Sequence, residues 1–370
     1  MTSKLMTLAL NGRFLTQGLT GVQRFASELT AAMDTLAGAA RWPATQVLMP
    51  RGPVKATFRH LEATNVGRIS GHGWEQLELP WHARGRFLLS LGNTAPVLAG
   101  RRQAVVIHDA SVFDTPESYS PQYGAWYRTL HGSLARTGAT LITVSEFSRG
   151  RIAARLGIEP GRIAIIPEGG EHILRVPPDP GVLSRHGLEA GRYALAVGSR
   201  AAHKNLDALG DAAALLAARG LRLAAVGATN PMVFRPAAGT QGPGAVACGR
   251  VSDAQLRALY EGALCLIFPS RYEGFGLPPL EAMSCGCPVV ASRAASVPEV
   301  CGEAALYFDA AEPRSLTEAL RRLLEEAGLA AAMRHRGLAR AAAFSWRRAA
   351  EVLLGLIEPV MEPAAAEVRT

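Results

Sequence analysis

Short runs of apolar residues, many of them β-branched, alternate along the chain with longer segments in which apolar residues recur every three or four positions. This alternation is typical of parallel sheets that are covered by helices on both faces. In the first half, the helical spacing is clear at Val22–Met33. The predicted strands there are Met6–Leu10, Gln46–Met49, Arg86–Leu91, Ala104–Ile107, Leu141–Val144 and Arg162–Ile166.

A second series of the same kind begins after the Pro- and Gly-rich stretch Val176–Gly187, which we interpret as an interdomain linker. Its predicted strands are Tyr193–Val197, Leu221–Val226, Ala263–Phe268 and Pro288–Ala291, and its predicted helices are Leu206–Arg219, Asp253–Glu261, Pro279–Ser284 and Trp346–Met361. A chain of 370 residues, 48% of them hydrophobic, suffices for two cores. We therefore predict an α/β protein with an N-terminal domain over residues 1–175 and a C-terminal domain over residues 176–345. The last helix, about 346–361, can pack back on the N-terminal domain.

The net charge of +8 is concentrated in the first domain, where residues 1–175 hold 19 Lys and Arg against 12 Asp and Glu. Ordinary surface arginine explains this as well as an anionic partner does, such as a membrane surface or a phosphate-bearing acceptor. Nucleic acid is disfavoured because no nucleic-acid-binding motif accompanies the charge. No apolar run reaches the roughly 20 residues that span a bilayer, and no signal peptide is recognisable. We expect a cytoplasmic protein. A further hypothesis is that it attaches peripherally to the cytoplasmic face of the membrane.

Candidate chemistry follows the predicted strand Ala263–Phe268. Ligands of parallel sheets bind beyond the carboxyl ends of the strands. Here Glu273 and the Gly274-Phe275-Gly276 turn precede a helix that opens with two prolines and carries Glu281 in its predicted first turn. The glycines allow close backbone approach, and helix amides attract a diphosphate. Glu281 can accept two sugar or ribose hydroxyls. The alternative is that Glu273 caps a turn and Glu281 complements the helix dipole.

A second loop, between the predicted strand Tyr193–Val197 and the next helix, contains Arg200 and Lys204. Their charges can compensate a phosphate leaving group as its bond to a sugar breaks. A solvated surface lysine is the alternative.

Two of these segments together resemble a known family. The string from Gly249 to Tyr307, with seven residues between Glu273 and Glu281, resembles the signature of glycosyltransferase family 4. The Gly198–Asn205 loop resembles the phosphate-binding loop of that family. Its members are retaining enzymes of the GT-B fold, in which two Rossmann-like domains with parallel sheets face each other across a cleft. The opening Asn11-Gly12-Arg13-Phe14, with Thr20–Arg24, is similar to a bacterial mannosyltransferase B-like subgroup that builds surface polysaccharides.

The resemblance implies a nucleotide diphosphate sugar as donor and a saccharide or lipid-linked saccharide as acceptor. GDP-mannose is the expected donor and a UDP-sugar is the alternative. Glu273, Lys204 and His108 are the expected catalytic residues. Within the donor site, Glu273 would contact the sugar, Glu281 the ribose, and Arg250 with Val251 the base. The full expected donor-binding set is Gly21, Ser199, Arg200, Lys204, Arg250, Val251, Glu273, Gly274, Phe275, Gly276, Leu277 and Glu281.

In the N-terminal domain, the resemblance implies that His108 lies near the donor sugar, and Arg24, Asn93 and Asp109 are the candidate acceptor-binding residues. Gly18 and Gly21 are equally well explained as turn glycines. The segment Glu168–His172 replaces the Pro-Asn-Gly of the family, and its role stays unassigned.

Neither a metal ion nor a cofactor is expected. The chain contains no Asp-x-Asp, and its five cysteines lack the paired spacing of a zinc site. Three rivals stay open at this point: a UDP-sugar-dependent transferase, a nucleotide-sugar epimerase of the same fold, and a non-catalytic polysaccharide-binding protein. A Rossmann oxidoreductase is disfavoured because Pro279 stands where the third glycine of its motif belongs.

Overall fold

The computed structural model describes residues 7–52, 57–199, 201–227 and 244–361. The strands within these ranges are β1 (Leu8–Asn11), β2 (Thr45–Met49), β3 (Glu62–Asn65), β4 (Phe87–Ser90), β5 (Gln103–Val106), β6 (Thr140–Thr143), β7 (Ile163–Ile165), β8 (Tyr193–Val197), β9 (Arg222–Val226), β10 (Ala245–Gly249), β11 (Cys265–Phe268), β12 (Val289–Ser292) and β13 (Ala305–Phe308).

The α-helices of the same ranges differ widely in length. They are α1 (Gly21–Gly38), α2 (Gly71–Gly73), α3 (Leu79–His82), α4 (Ser111–Asp114), α5 (Pro121–Arg136), α6 (Glu146–Leu156), α7 (Gly181–Arg185), α8 (Leu209–Ala217), α9 (Asp253–Gly262), α10 (Leu277–Ser284), α11 (Val297–Cys301), α12 (Pro313–Glu325), α13 (Leu329–Ala341) and α14 (Trp346–Met361). A π-helix, Trp74–Glu78, joins α2 to α3.

The strands form two parallel sheets. In the described part of the chain, the first has seven strands in the order β3-β2-β1-β4-β5-β6-β7, and the second has six in the order β10-β9-β8-β11-β12-β13. Counted from its own first strand, the second sheet has the order 3-2-1-4-5-6 of doubly wound nucleotide-binding folds, and the first sheet begins with the same order. The predicted α/β class with two Rossmann-like sheets is confirmed.

The chain forms two compact units. One comprises Met1–Ala110, Trp126–Glu168 and Trp346–Thr370, and the other comprises Ser111–Ala125 and Gly169–Ser345. We call them the N-terminal and C-terminal units. The helix α14 packs on α1 within the N-terminal unit, where the buried Trp346 ring meets the Phe25 ring edge-on at 5.8 Å.

The segment predicted as a linker, Val176–Gly187, packs within the C-terminal unit. It contains α7, and the Arg257 guanidinium donates to the Val176 carbonyl at 2.8 Å. The amide of Asp179 donates to the Ala254 carbonyl at 2.9 Å. The units therefore divide the chain at residues 168 and 169, and residues 111–125 join the C-terminal unit, unlike the predicted boundary at 175.

The helix α10 begins at Leu277, two residues before the predicted start. Gly276 caps it in a left-handed conformation (φ 110°), and both prolines lie inside its first turn, where their missing amides cost no hydrogen bond. The prediction that Glu281 lies in the first turn is therefore wrong, since Glu281 is the fifth residue of the helix.

Candidate functional site

The Lys204 ammonium and the Glu273 carboxylate form an ion pair at the carboxyl edge of the second sheet. The Lys204 Nζ atom donates to both Glu273 oxygens, at 2.7 and 2.9 Å. Lys204 lies in the loop after β8, and Glu273 lies in the loop after β11, the strand that pairs directly with β8. Both side chains are mostly buried, with exposed fractions of 19% and 10%. The two residues predicted to touch phosphate and sugar therefore lie together.

Backbone and amide hydrogen bonds fasten the two loops to each other. The Arg271 amide donates to the His203 carbonyl at 2.8 Å, and the Asn205 side chain donates to the Pro269 carbonyl at 3.1 Å. Asn205 has a left-handed backbone (φ 52°), which turns the chain immediately after Lys204. The pair is thus held from both sides, which limits the motion of Lys204 relative to Glu273.

The glycine turn after Glu273 is anchored from behind by Ser296. The Ser296 hydroxyl lies 3.0 Å from the Glu273 carbonyl and 2.7 Å from the Phe275 carbonyl. The single Ser296 hydroxyl, shared between these two carbonyls, holds the turn at the start of α10. There the Leu277 amide has no intrahelical acceptor, whereas Pro278 and Pro279 have no amide. An anionic ligand here would therefore meet backbone amides of the glycine turn and of Leu277, at the positive end of the helix dipole.

Glu281 lies behind this turn and is buried, with 7% of its side chain exposed. The His172 Nε2 atom lies 2.9 Å from Glu281 Oε1, and the Tyr260 hydroxyl donates to Oε2 at 3.0 Å. Each carboxylate oxygen keeps one further lone pair for a ligand hydroxyl. His172 belongs to the segment whose role the sequence left unassigned. Gly170 of the same segment lies against α10 so closely that a Cβ atom there would meet Leu280 at 2.7 Å.

The remaining predicted donor-binding residues lie in several parts of the chain. Ser199 is half-buried after β8, and Gly274 and Leu277 are buried in and after the glycine turn. Arg250 is exposed and Val251 half-buried after β10, an edge strand of the same sheet. Arg200 lies outside the described residues, and Gly21 belongs to the N-terminal unit.

His108 follows β5 in the N-terminal unit and is buried. Its Nε2 atom donates to the Leu91 carbonyl at 3.1 Å, and its Nδ1 atom lies 3.8 Å from the Glu168 carboxylate. The Phe25 ring packs edge-on against the imidazole at 4.6 Å. Glu168, from the segment without an assigned role, thus helps to enclose the predicted catalytic histidine.

The predicted acceptor-binding residues are largely occupied by the protein. The Asn93 side-chain oxygen accepts from the His108 amide at 2.7 Å, and Arg24 pairs with Glu28 at 3.4 Å. Asp109, which follows His108 in the chain, is half-buried. Gly21 is the exposed first residue of α1, and its φ, like that of Gly18, lies outside the left-handed region. The turn itself therefore does not require glycine at either position.

The sequence reasoning missed a buried polar cluster at the carboxyl edge of the first sheet. The Glu75 Oε1 atom accepts from Asn11 at 2.7 Å, from Thr94 at 2.8 Å and from Arg13 at 3.2 Å. Burial alone would raise the pKa of Glu75, but the hydrogen bond from His72, the Arg13 charge and the hydrogen bonds from Asn11 and Thr94 lower it. Glu75 is therefore a buried carboxylate anion. Asn11 and Arg13 were visible as a motif, but their buried partner was not.

No group of three or more His, Cys, Asp or Glu side chains within the described ranges is placed to hold a metal ion.

Comparison with known proteins agrees with this architecture. A family model described as "Glycosyl transferases group 1" matches residues 191–326. The O-antigen chain mannosyltransferase B of Escherichia coli is 34% identical over 261 residues, which are 66% of this chain and 67% of that protein. A sucrose-phosphate synthase from Thermosynechococcus elongatus superposes with a TM-score of 0.73 at 19% identity, covering 96% of this chain and 99% of the other. HepE from Anabaena, solved with UDP-glucose, superposes with a TM-score of 0.69 at 16% identity, covering 95% and 99%.

The two parallel sheets have the GT-B fold of the superposed structures, and the family domain over residues 191–326 makes the chain a glycosyltransferase. The chain belongs to the group 1 glycosyl transferases, since it shares the family domain and covers two thirds of its E. coli relative. The predicted family and fold are thereby confirmed.

The buried His131 generates a prediction about pH. Burial lowers the pKa of His131 to about 4, although its bond to the Asn93 carbonyl and the charge of Asp109 oppose the shift. Between pH 6.5 and 4 the unfolded chain therefore binds a proton that the folded chain excludes, so stability falls as the pH falls. We expect His131→Gln, which keeps a donor for Asn93, to remove this loss.

The measurement is chemical unfolding of both proteins at pH 7 and pH 5. The wild type should lose about 2 kcal/mol more than the variant, since one pKa unit corresponds to about 1.4 kcal/mol. Parallel pH profiles would contradict the prediction.

Proposed function

We propose that this enzyme transfers mannose from GDP-mannose, with retention of anomeric configuration, to a saccharide or lipid-linked saccharide in surface polysaccharide synthesis. The observation that carries the proposal is the Lys204–Glu273 pair. In a nucleotide sugar, the phosphate next to the anomeric carbon and the hydroxyls of the same sugar lie side by side. A cation and a carboxylate held 2.7 Å apart match that pattern of charge.

The pair leaves binding capacity for the donor. Two hydrogen bonds run from Lys204 to Glu273, and an ammonium has three donors. The third can reach a phosphate oxygen, while Glu273 can accept from sugar hydroxyls. Amides of Phe275 and Gly276 would complete the phosphate contacts, and Glu281 would accept from the ribose hydroxyls. Arg250 and Val251 are proposed to contact the base.

The chemical step would need neither metal nor cofactor. The bond between the anomeric carbon and the phosphate oxygen breaks, and the acceptor oxygen bonds to that carbon on the same face. The acceptor proton passes to the departing phosphate. Lys204 would stabilise the negative charge that develops on this phosphate, and preorganised charges act strongly in such a partly buried site.

Mannose is favoured by the E. coli relative, whose name is that of a mannosyltransferase. A UDP-sugar is the second candidate, because HepE, which has the same fold, was solved with UDP-glucose. A panel of nucleotide sugars distinguishes them.

We further propose that the N-terminal unit contacts anionic membrane. Leu77, Trp81 and Leu98 line one groove and are 67%, 64% and 75% exposed. The Arg84 guanidinium lies 3.9 Å from the centre of the Trp81 ring, and Arg102 lines the same groove. Exposed apolar side chains bordered by arginine suit the interface between acyl chains and anionic headgroups. Within the described ranges, no helix is long and apolar enough to span a bilayer.

The first prediction concerns the donor. GDP-mannose should raise the unfolding temperature of the wild type more than UDP-glucose does, because the native state binds GDP-mannose more tightly.

The Lys204 side chain is tested by substitution. Lys204→Ala should lower kcat by about 100- to 1000-fold, or about 3–4 kcal/mol. Lys204→Arg should restore part of the activity, and Arg185→Ala, which removes an exposed charge of the same unit, should leave it unchanged. Near-normal turnover in folded Lys204→Ala would overturn the phosphate assignment, and stabilisation by UDP-glucose alone would favour the second donor.

The second prediction separates the two glutamates with variants of equal size. Glu281→Gln should weaken GDP and GDP-mannose alike, since both contain the ribose. Glu273→Gln should leave GDP affinity unchanged and reduce transfer. A lost hydrogen bond to a charged group costs about 1.5–3 kcal/mol. Calorimetric titration of each variant with GDP and GDP-mannose measures this, and equal loss of GDP affinity in both variants would refute the division of roles.

The third prediction concerns the groove. Trp81→Ala should reduce flotation with vesicles that contain anionic lipid, and higher salt should reduce wild-type binding because it screens the arginine charges. Trp126→Ala, which removes another exposed tryptophan of the same unit, is the control. Equal wild-type binding to neutral and anionic vesicles would count against the proposal.

A further inference from the structure

A buried charge network ends at an exposed histidine in the N-terminal unit. The Glu75 side chain is 1% exposed, and its Oε1 atom accepts hydrogen bonds from Arg13 and Asn11. Its Oε2 atom lies 3.4 Å from the His72 Nδ1 atom. The His72 side chain is 38% exposed. Asn11 and Ser90, which bond to each other at 3.2 Å, end the neighbouring strands β1 and β4, so the network lies at the ligand-binding edge of the sheet.

Burying this network is expensive, because Arg13 and Glu75 both lose their water. Arg13 is held at both ends, by Glu75 at 3.2 Å and by the Thr94 hydroxyl at 2.8 Å. Glu75 also lies on the π-helix Trp74–Glu78, a local distortion that is frequent at functional sites. A core that needed only stability would be better served by apolar side chains. The network therefore indicates a function, and the part of it that a ligand can touch is His72.

The surroundings of His72 indicate the chemistry of that ligand. The Trp126 ring, 38% exposed, meets the imidazole at 5.4 Å and 63°, and the Tyr127 ring lies at 6.1 Å. The residues on either side of His72 in the chain, Gly71 and Gly73, have no side chains. Because Nδ1 faces the Glu75 carboxylate, which can only accept a hydrogen bond, Nε2 is the ring atom that can meet a ligand hydroxyl. An aromatic ring beside a fixed hydrogen-bonding group suits a sugar, whose C–H face packs on the ring and whose hydroxyls bind the imidazole.

The charges of the network favour a neutral ligand. The Arg13 and Glu75 charges compensate each other at 3.2 Å, so the network presents no net charge to His72. Of the three residues predicted to bind the acceptor, Arg24 already pairs with Glu28 and Asn93 already accepts from the His108 amide.

We propose that His72 and Trp126 form a binding subsite for a neutral hexopyranose unit of the saccharide acceptor, and that Glu75 and Arg13 position His72. The proposal rests on the proposed function, since it names the residues that recognise the acceptor of that reaction. The subsite lies in the N-terminal unit, whereas the Lys204–Glu273 pair lies in the C-terminal unit.

The experiment is a titration of the full-length protein with α-linked mannobiose, maltose and lactose, followed by saturation-transfer NMR. We expect the wild type to bind mannobiose. Trp126→Ala and His72→Ala should each weaken binding by at least about tenfold, whereas Trp126→Phe, which keeps a ring, should stay within about threefold. Trp81→Ala, the exposed tryptophan at the groove of the same unit, is the matched control and should bind like the wild type. GDP-mannose affinity, measured by calorimetry, should be unchanged in all four variants.

Each outcome decides the proposal. Wild-type mannobiose affinity in both Trp126→Ala and His72→Ala overturns it, and so does a wild type that binds GDP-mannose but none of the three disaccharides. Loss of GDP-mannose affinity in the same variants would show a general structural defect and would also overturn it. A wild type that binds mannobiose at this subsite yet transfers no sugar from any donor would refute the proposed function and leave the saccharide subsite standing.

Discussion

Parallel strand pairing is the constraint on which both units depend. Parallel neighbours cannot be joined by a hairpin, so each strand is followed by a crossover, and the loops that follow neighbouring strands gather at one edge. This is why Lys204 and Glu273, 69 residues apart, meet after β8 and β11. The same geometry brings Asn11 and Ser90 together at the ends of β1 and β4. The parallel sheet by itself therefore brings functional residues from distant parts of the chain to one edge.

Both units place a buried carboxylate just behind such an edge and hold it with several donors. In the C-terminal unit, Glu281 is held by His172 and Tyr260. In the N-terminal unit, Glu75 is held by Asn11, Arg13 and Thr94, with His72 on its outer side. A buried carboxylate is costly unless it accepts hydrogen bonds, and a carboxylate held by such bonds becomes rigid. In each unit the carboxylate therefore fixes a polar group close to where a ligand can bind.

The interior strands of both sheets were predictable, but three edge strands were not. An interior strand of a parallel sheet is buried on both faces and has a continuous apolar run, such as Cys265–Phe268. The missed strands β3, β10 and β13 all lie at sheet edges, where one side faces no neighbouring strand. Glu62–Asn65 is largely exposed and polar, so its strand conformation depends on pairing with β2 and not on its own pattern. The local pattern of apolar residues reflects how far a strand is buried, and edge strands such as Glu62–Asn65 bury few side chains.

The chain's own pattern determined the two sheets, the carboxyl-edge loops and the residue types of the candidate donor site, because periodicity and turn chemistry are local properties. Only the tertiary structure decided which of those residues share hydrogen bonds. It joined Lys204 to Glu273 and gave the unassigned His172 a partner in Glu281. It committed the Asn93 side chain to the His108 amide. It also revealed Glu75 as the buried partner of Arg13 across 62 residues. Such pairings depend on distances through space between segments far apart in the chain, and no local pattern contains that information.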